Sequence, residues 1–422
     1  MAKLRYFLLN SKDTIKASYI WNMIGSMIMA FQSVIMLIII TRILSLYEAG
    51  VFTLAYASAN LFLNIGKYGM RNFQVSDLKH QFTFSDYRFS RIITTFIMFT
   101  VSVIYVIVAS KQNDYSMDKA WVIIWMCLFK MVDSFEDVYL GLYQQQGRLD
   151  VSGKILSLRM ILTVVLFGAC LIVSRNLLLS LVVSTIITTI ILICFISLTY
   201  SKFENKDEKA EMVHIFSLLK KCFPLFLGCF LAFYIGNAPK YAIDANLNDE
   251  LQACYGFIAM PVFVIGLLNN FIFNPMITKM SLLWKEGNHN RFINMFIKQM
   301  IIVAGITLIC EAGAYVLGIP VLSVLYNTDL SPYKTELLVL LLGGGFLALS
   351  GLLVTIMTII RIQGRQAIGY IIVAIFAFVF SPIFVRKYQI FGAAILYLLL
   401  MMLLCAIFGI LLWTGMHQKR HS

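Results

Sequence analysis

The feature that most constrains this chain is the recurrence, along its whole length, of apolar stretches of about twenty residues separated by short polar connections. A helix of that length, rising 1.5 Å per residue, crosses a hydrocarbon layer of ~30 Å. Twelve such stretches lie near 18–41, 49–69, 91–110, 119–142, 155–174, 176–199, 215–239, 251–275, 293–317, 335–360, 366–385 and 390–414. A helix in lipid satisfies its own backbone polar groups, an isolated strand cannot, and the alternation of a membrane barrel is absent. The expected fold is therefore an all-α polytopic membrane protein of about twelve transmembrane helices. Composition agrees, with 60% hydrophobic and 13% charged residues where a soluble protein carries roughly a quarter charged. The first stretch is too long for a signal-peptide core and lacks a small-residue cleavage pattern, so it is expected to be a retained span.

The longest polar connection near the middle, around Lys202-Phe-Glu-Asn-Lys-Asp-Glu-Lys-Ala-Glu211, separates six spans from six. The expected organisation is an N-terminal six-helix lobe over 1–199, a cytoplasmic linker over 200–214 and a C-terminal six-helix lobe over 215–422.

The net charge of +13 is a matter of topology. Relative to these spans, twenty-four of the Lys and Arg residues fall on one side, eight on the other, and Lys67 and Lys130 inside. Basic loops stay in the cytoplasm, so both termini are expected there, in keeping with an even number of spans. A charge explained in this way gives no reason to expect nucleic acid as a partner. No connection is long enough for a catalytic domain, and the chain holds no nucleotide-binding glycine loop, zinc motif or nucleophile elbow. The eight cysteines show no metal-ligand pairing. The chain is expected not to be an enzyme and to need no metal or cofactor.

Ionisable residues inside spans are costly and mark candidate sites. In the second span Thr53, Tyr56, Asn60, Asn64, Lys67 and Arg71 recur at steps of three and four, which places them on one helical face. In the fourth, Lys130, Asp133, Asp137, Gln144 and Arg148 share a face with Glu136 at its margin. Asp133 and Asp137 stand four apart and repel. Their repulsion must be relieved by a proton, a bound cation, or pairing with Lys130, Lys67 or Arg71, and Arg159 near the inner end of the fifth span can contribute. Two readings follow: a set of buried ion pairs that fixes helix packing, or a hydrated, charge-lined cavity. The second half has fewer such groups, with a modest polar patch at Asn269, Asn270 and Asn274.

The segment Thr41-Arg-Ile-Leu-Ser-Leu-Tyr-Glu-Ala-Gly50-Val-Phe-Thr-Leu-Ala55, with Leu61 to Gly69, resembles the N-terminal signature of polysaccharide transporters. These belong to the multidrug/oligosaccharidyl-lipid/polysaccharide exporter superfamily. Gly141-Leu-Tyr-Gln-Gln-Gln-Gly-Arg148 is similar to the end of that family's fourth span, and Gly318-Ile-Pro-Val-Leu-Ser-Val-Leu-Tyr326 is a third match. The resemblance covers essentially the whole chain. It implies two six-helix lobes around a central cavity, alternating between inward- and outward-open states in a prokaryotic plasma (inner) membrane. It also implies a cargo of undecaprenyl-diphosphate-linked repeat units for O-antigen, capsule or exopolysaccharide. Lys67, Arg71, Lys130 and Arg159 are counterparts of the cationic lumen described for the family, whereas the acidic trio Asp133, Glu136 and Asp137 departs from it.

The resulting expectation is that Lys67, Arg71 and Lys130, with Arg159, hold the diphosphate while Tyr56, Asn60 and Asn64 contact sugars. Asp133, Glu136 and Asp137 are candidates for coupling a proton or sodium ion. The lipid tail stays among membrane lipids. Two alternatives stand beside this: a drug or organic-cation antiporter of the same superfamily, favoured by the acidic trio, and an integral membrane polysaccharide polymerase or ligase, opposed by the short outer loops.

Overall fold

The structure, a computed structural model, describes residues 1–77, 80–203 and 209–420, without the side chains of 268–272, 274, 275, 278, 363 and 417–420. The patch at Asn269, Asn270 and Asn274 and the linker residues 204–208 therefore lie outside the described residues. The described chain is helical, with no strand among its residues. The helices are α1 Ala2–Leu9, α2 Thr14–Ile43, α3 Leu46–Lys67, α4 Met70–Ser76, α5 Phe84–Gln112, α6 Met117–Gln145, α7 Leu149–Ser174, α8 Leu177–Thr199, α9 Met212–Asn246, α10 Asp249–Lys285, α11 His289–Gly313, α12 Ile319–Tyr326, α13 Lys334–Ile359 and α14 Gln366–Arg420.

Ten helical segments are long and apolar enough to cross a membrane. The last of them, Gln366–Met416, is broken at Gln389, whose φ of 51° and ψ of −131° leave the helical region, so it supplies two crossings. The 29-residue α6 is long enough for another but carries too many charges to count as apolar. Twelve long segments result among the described residues.

The helix starts follow local chemistry. Asp13, Ser116 and Asn176 each accept a hydrogen bond from a first-turn amide of α2, α6 and α8. Ser45 with Glu48 and Thr83 with Asp86 form capping boxes at α3 and α5. The second of these starts α5 seven residues before the apolar stretch at 91, which draws Arg91 into the helix. Arg91, Lys154 and Arg159, three of the twenty-four cations counted on the basic side, are all buried in helices.

The chain forms two compact units, Met1–Phe230 and Leu231–Ser422, with the division inside α9. In the first, α2 packs along α7, α3 and α5 pack on α6, and α8 covers α6 and α7. In the second, α13 is the hub against which α10, α11 and α14 pack. Three consecutive glycines of α13 make that possible. A Cβ on Gly343 would meet Tyr397 of α14 at 2.6 Å, on Gly344 it would meet Val262 of α10 at 3.0 Å, and on Gly345 it would meet Thr307 of α11 at 2.6 Å. Small residues let helix backbones approach closely where lipid provides no hydrophobic drive.

Candidate functional site

The candidate site lies in the unit Met1–Phe230 and is organised by α6. Lys130, Asp133, Glu136 and Asp137 are all buried on this helix. Burying four ionisable groups is tolerable only when each is paired and hydrogen-bonded. The pairing divides them into two groups.

The first group is closed. The fully buried guanidinium of Arg159, on α7, donates through Nε to Glu136 Oε1 at 2.7 Å, and through Nη2 to Glu136 Oε2 at 2.5 Å and Asp133 Oδ1 at 2.7 Å. Its Nη1 donates to Thr188 Oγ1 of α8 at 3.4 Å. Lys130 Nζ donates to Asp133 Oδ2 at 3.0 Å and to Gln32 Oε1 of α2 at 3.1 Å, and lies 4.6 Å from the centre of the Tyr56 ring. Two cations face two carboxylates, so this group is neutral.

The second group surrounds Asp137 and is unbalanced. Arg91 Nη2 of α5 donates to Asp137 Oδ2 at 2.9 Å, while its Nη1 donates to the Gly66 carbonyl of α3 at 2.6 Å. Arg71 Nη1 stands 3.6 Å and Lys67 Nζ 3.9 Å from Asp137 Oδ1. Arg91 is sealed from solvent, whereas the side chains of Lys67 and Arg71 are 33% and 26% exposed. Three cations thus face one carboxylate, and the two that are not tightly bonded to it are the two that reach the surface.

Arg71 takes this position because α3 stops before it. Tyr68 and Gly69 adopt left-handed backbone, with φ of 52° and 63°, and the chain turns into α4. The side-chain stripe running unbroken from Asn60 to Arg71 expected from the sequence is therefore interrupted at Lys67. A Cβ at position 69 would also meet Leu225 at 2.7 Å, so glycine is required there on two counts. After the turn, Arg71 Nε and Nη2 donate to Gln144 Oε1 of α6 at 3.2 and 2.9 Å. The end of α6 likewise differs from expectation. It closes at Gln145, and Arg148 belongs to the start of α7, where it pairs with Asp150 at 2.8 Å.

Lys67, Arg71, Asp133, Glu136 and Asp137 line a common cavity of about 80 Å³, completed by α2 and α7. A site needs at least ~10–15 Å³ of such volume to admit one water, so this cavity has room for a few. Ion pairs that join helices and a small charge-lined cavity thus stand side by side. Lys130 and Arg159 do not line this cavity and are committed to carboxylates. Tyr56, Asn60 and Asn64 are half-buried on α3 and do not line it either. The amide nitrogens of Asn60 and Asn64 donate to the carbonyls one turn earlier, at 2.8 and 2.9 Å. The repulsion between Asp133 and Asp137 is relieved by pairing, the former with Lys130 and Arg159, the latter with Arg91, Arg71 and Lys67. Arg91 and Gln32 are the site residues that sequence reasoning missed. The Thr83 to Asp86 capping box was the available signal for Arg91, whereas Gln32 carries no such signal.

No family model matches the chain. Among solved structures, an inward-facing conformation of a multidrug-resistance MATE-family transporter of the MOP superfamily aligns over 92% of this chain and 94% of that one, with a TM-score of 0.66 and 12% identity. The chain has the fold of the MOP-superfamily transporters. Another protein with the MOP fold, from Pyrococcus furiosus and described as having a binding pocket of reverse polarity, aligns over 98% of this chain and 97% of that one, with a TM-score of 0.56 and 14% identity. In sequence, the capsular polysaccharide biosynthesis protein CapF of Staphylococcus aureus is 26% identical over 276 residues, 64% of this chain and 68% of CapF. The MOP fold agrees with the polytopic helical architecture expected from the apolar stretches.

Proposed function

We propose that this protein is a flippase that moves a polyprenyl-diphosphate-linked oligosaccharide from the cytoplasmic to the outer leaflet of a prokaryotic plasma membrane by alternating access. The observation that carries this reading is the surplus of cation around Asp137, with Lys67 and Arg71 part-exposed at a polar cavity and held only loosely by the carboxylate. A phosphate oxygen competes well for such groups, because Lys and Arg form charge-assisted hydrogen bonds with it. The cavity is sized for a few waters or one phosphate, so it receives the charged end of the cargo and not its sugars. Tyr56, Asn60 and Asn64 offer a ring and amide oxygens to sugar hydroxyls farther along α3. Lys130 and Arg159 hold α6, α7 and α2 in register for the site and leave the phosphate to Lys67 and Arg71.

The sequence likeness to a capsule biosynthesis protein supports a polysaccharide cargo. A membrane potential negative inside favours outward movement of the anion, by about 2.3 kcal/mol per charge at 100 mV. Both termini are placed in the cytoplasm by the distribution of basic residues. For ion coupling we assign Asp137, because Lys67 and Arg71 can leave it, whereas Asp133 and Glu136 are closed by Arg159. The alternative of an organic-cation antiporter draws on the three carboxylates at the cavity. It is disfavoured because each of them already has a cation within 3.0 Å.

Deletion in the native host, followed by quantitation of surface glycan and lipid-linked intermediate, tests the reading. Accumulated intermediate with lost surface glycan, restored by the wild-type chain and not by Lys67→Ala with Arg71→Ala, is expected. Unchanged intermediate and glycan after deletion would exclude it.

A further inference from the structure

Away from the α6 cluster, α1 and the first turns of α2 enclose an open pocket of about 360 Å³ against α7. Its polar lining is dominated by Lys12, Lys16 and Lys154, opposed by Asp13, and its apolar lining includes Phe7 and Trp21, whose rings meet edge to face at 5.8 Å. Two of these charges are already engaged. Lys154 Nζ is buried and donates to the Phe7 and Asn10 carbonyls at 2.8 and 2.9 Å and to Ser11 Oγ at 2.9 Å, which fastens the end of α1 to α7. Asp13 accepts from the Lys16 amide at 3.0 Å and starts α2. The ammonium groups of Lys12 and Lys16 have no hydrogen-bond or ion-pair partner among the described residues, although both lie at the pocket and are exposed.

We propose that this pocket binds the phosphate of an anionic phospholipid headgroup through Lys12 and Lys16. The choice of a lipid over a free anion rests on what surrounds the pocket. Ile15 and Tyr19 alternate with the two lysines and are 74% and 76% exposed, and Tyr6 on α1 is 72% exposed. That apolar surface has no use to a free phosphate, and it gives the glycerol backbone and upper acyl chain a place to lie. Aromatic side chains beside cations at a membrane-spanning helix end are suited to the headgroup level, where one end is wet and the other apolar. The site orders α1 on α7 and biases α2, the helix that also supplies Gln32 to Lys130, without touching the Asp137 group. It does not depend on the flippase reading.

The test is retention of phosphatidylglycerol, relative to phosphatidylcholine, by the full-length chain in mixed nanodiscs, read by native mass spectrometry. A juxtamembrane lysine contributes roughly five-fold in affinity for an anionic surface, so Lys12→Gln with Lys16→Gln is expected to lower the preference about thirty-fold. Lys12→Arg with Lys16→Arg should keep it, and Lys387→Gln, an exposed lysine of the other unit, should leave it unchanged. Both pocket lysines are exposed, and equal melting temperatures of the variants in phosphatidylcholine alone will separate lost binding from lost folding. Absence of a preference in the wild type, or its survival in the Gln variant, overturns the proposal. Displacement of the lipid by inorganic phosphate at comparable concentration also overturns it, because the pocket would then be reading an anion and not a lipid.

Discussion

Arg91 and Asp137, on adjacent helices, form a 2.9 Å ion pair whose guanidinium also reaches the Gly66 carbonyl at 2.6 Å, so a single buried side chain joins α5, α6 and the end of α3. It fixes one oxygen of the Asp137 carboxylate, while Lys67 and Arg71 stand farther off, at 3.9 and 3.6 Å from the other oxygen. One acid is thus shared by three cations, one held tightly and two loosely.

Arg91→Met should destabilise the protein by about 3 kcal/mol, the low end for a broken buried pair, because it removes the tight contacts to Asp137 and the Gly66 carbonyl and leaves Asp137 to the looser Lys67 and Arg71. Arg91→Met with Asp137→Leu should recover much of that loss, since neither charge is then stranded. Reversible unfolding in detergent micelles measures both, and equal stability of the single variant and the wild type would contradict the role given to Arg91.

Arg159→Leu strands Glu136 and Asp133 together, with Lys130 left to balance them, and should cost at least as much, about 3–5 kcal/mol. Adding Glu136→Gln, which leaves Lys130 and Asp133 as a balanced pair, should return a substantial part of it. A double variant no more stable than the single one would mean that the Glu136 carboxylate, and not its pairing, holds α6 and α7 together.

Lys67→Ala and Arg71→Ala should behave oppositely. Part-exposed and 3.6–3.9 Å from Asp137, they contribute no more than about 1 kcal/mol to stability. Flipping of a lipid diphosphate in proteoliposomes should nevertheless fall at least tenfold in the double variant, on the order of 1.4 kcal/mol or more of lost interaction. Undiminished transport would remove both residues from cargo binding.

Asp137→Asn separates coupling from structure. With its gradient-dependent transport measured against proton and sodium gradients, the variant is expected to lose that dependence while keeping the amide oxygen as an acceptor for Arg91. If its response to the gradients matches that of the wild type, Asp137 has no coupling role.

In the second unit, Gly345→Val should destabilise by about 1–3 kcal/mol through overpacking, because even a Cβ there approaches Thr307 to 2.6 Å. Thr307→Ala in the same chain opens space at that contact and should relieve part of the effect. Additive losses in the two single and the double variants would show that the helices separate there instead of interlocking.

Most span positions were legible in the sequence because apolar length decides which segments enter lipid, and α6 was legible because its charges recur on one face of an otherwise apolar run long enough to span. The need to neutralise Asp133 and Asp137 was equally legible, since helical periodicity puts residues four apart on one face. What periodicity cannot give is the partner across the interface. Arg91 lies 46 positions from Asp137 and Arg159 lies 23 from Glu136, and only the rotation and register of packed helices bring these pairs within 3 Å. The left-handed step at Tyr68 and Gly69 is the same kind of decision: two dihedral pairs redirect Arg71 toward α6, at a point where Leu225 leaves no room for a residue larger than glycine. The sequence by itself determined which groups had to be compensated in a medium of low dielectric constant, and tertiary packing decided which cation compensates which acid and which two remain available.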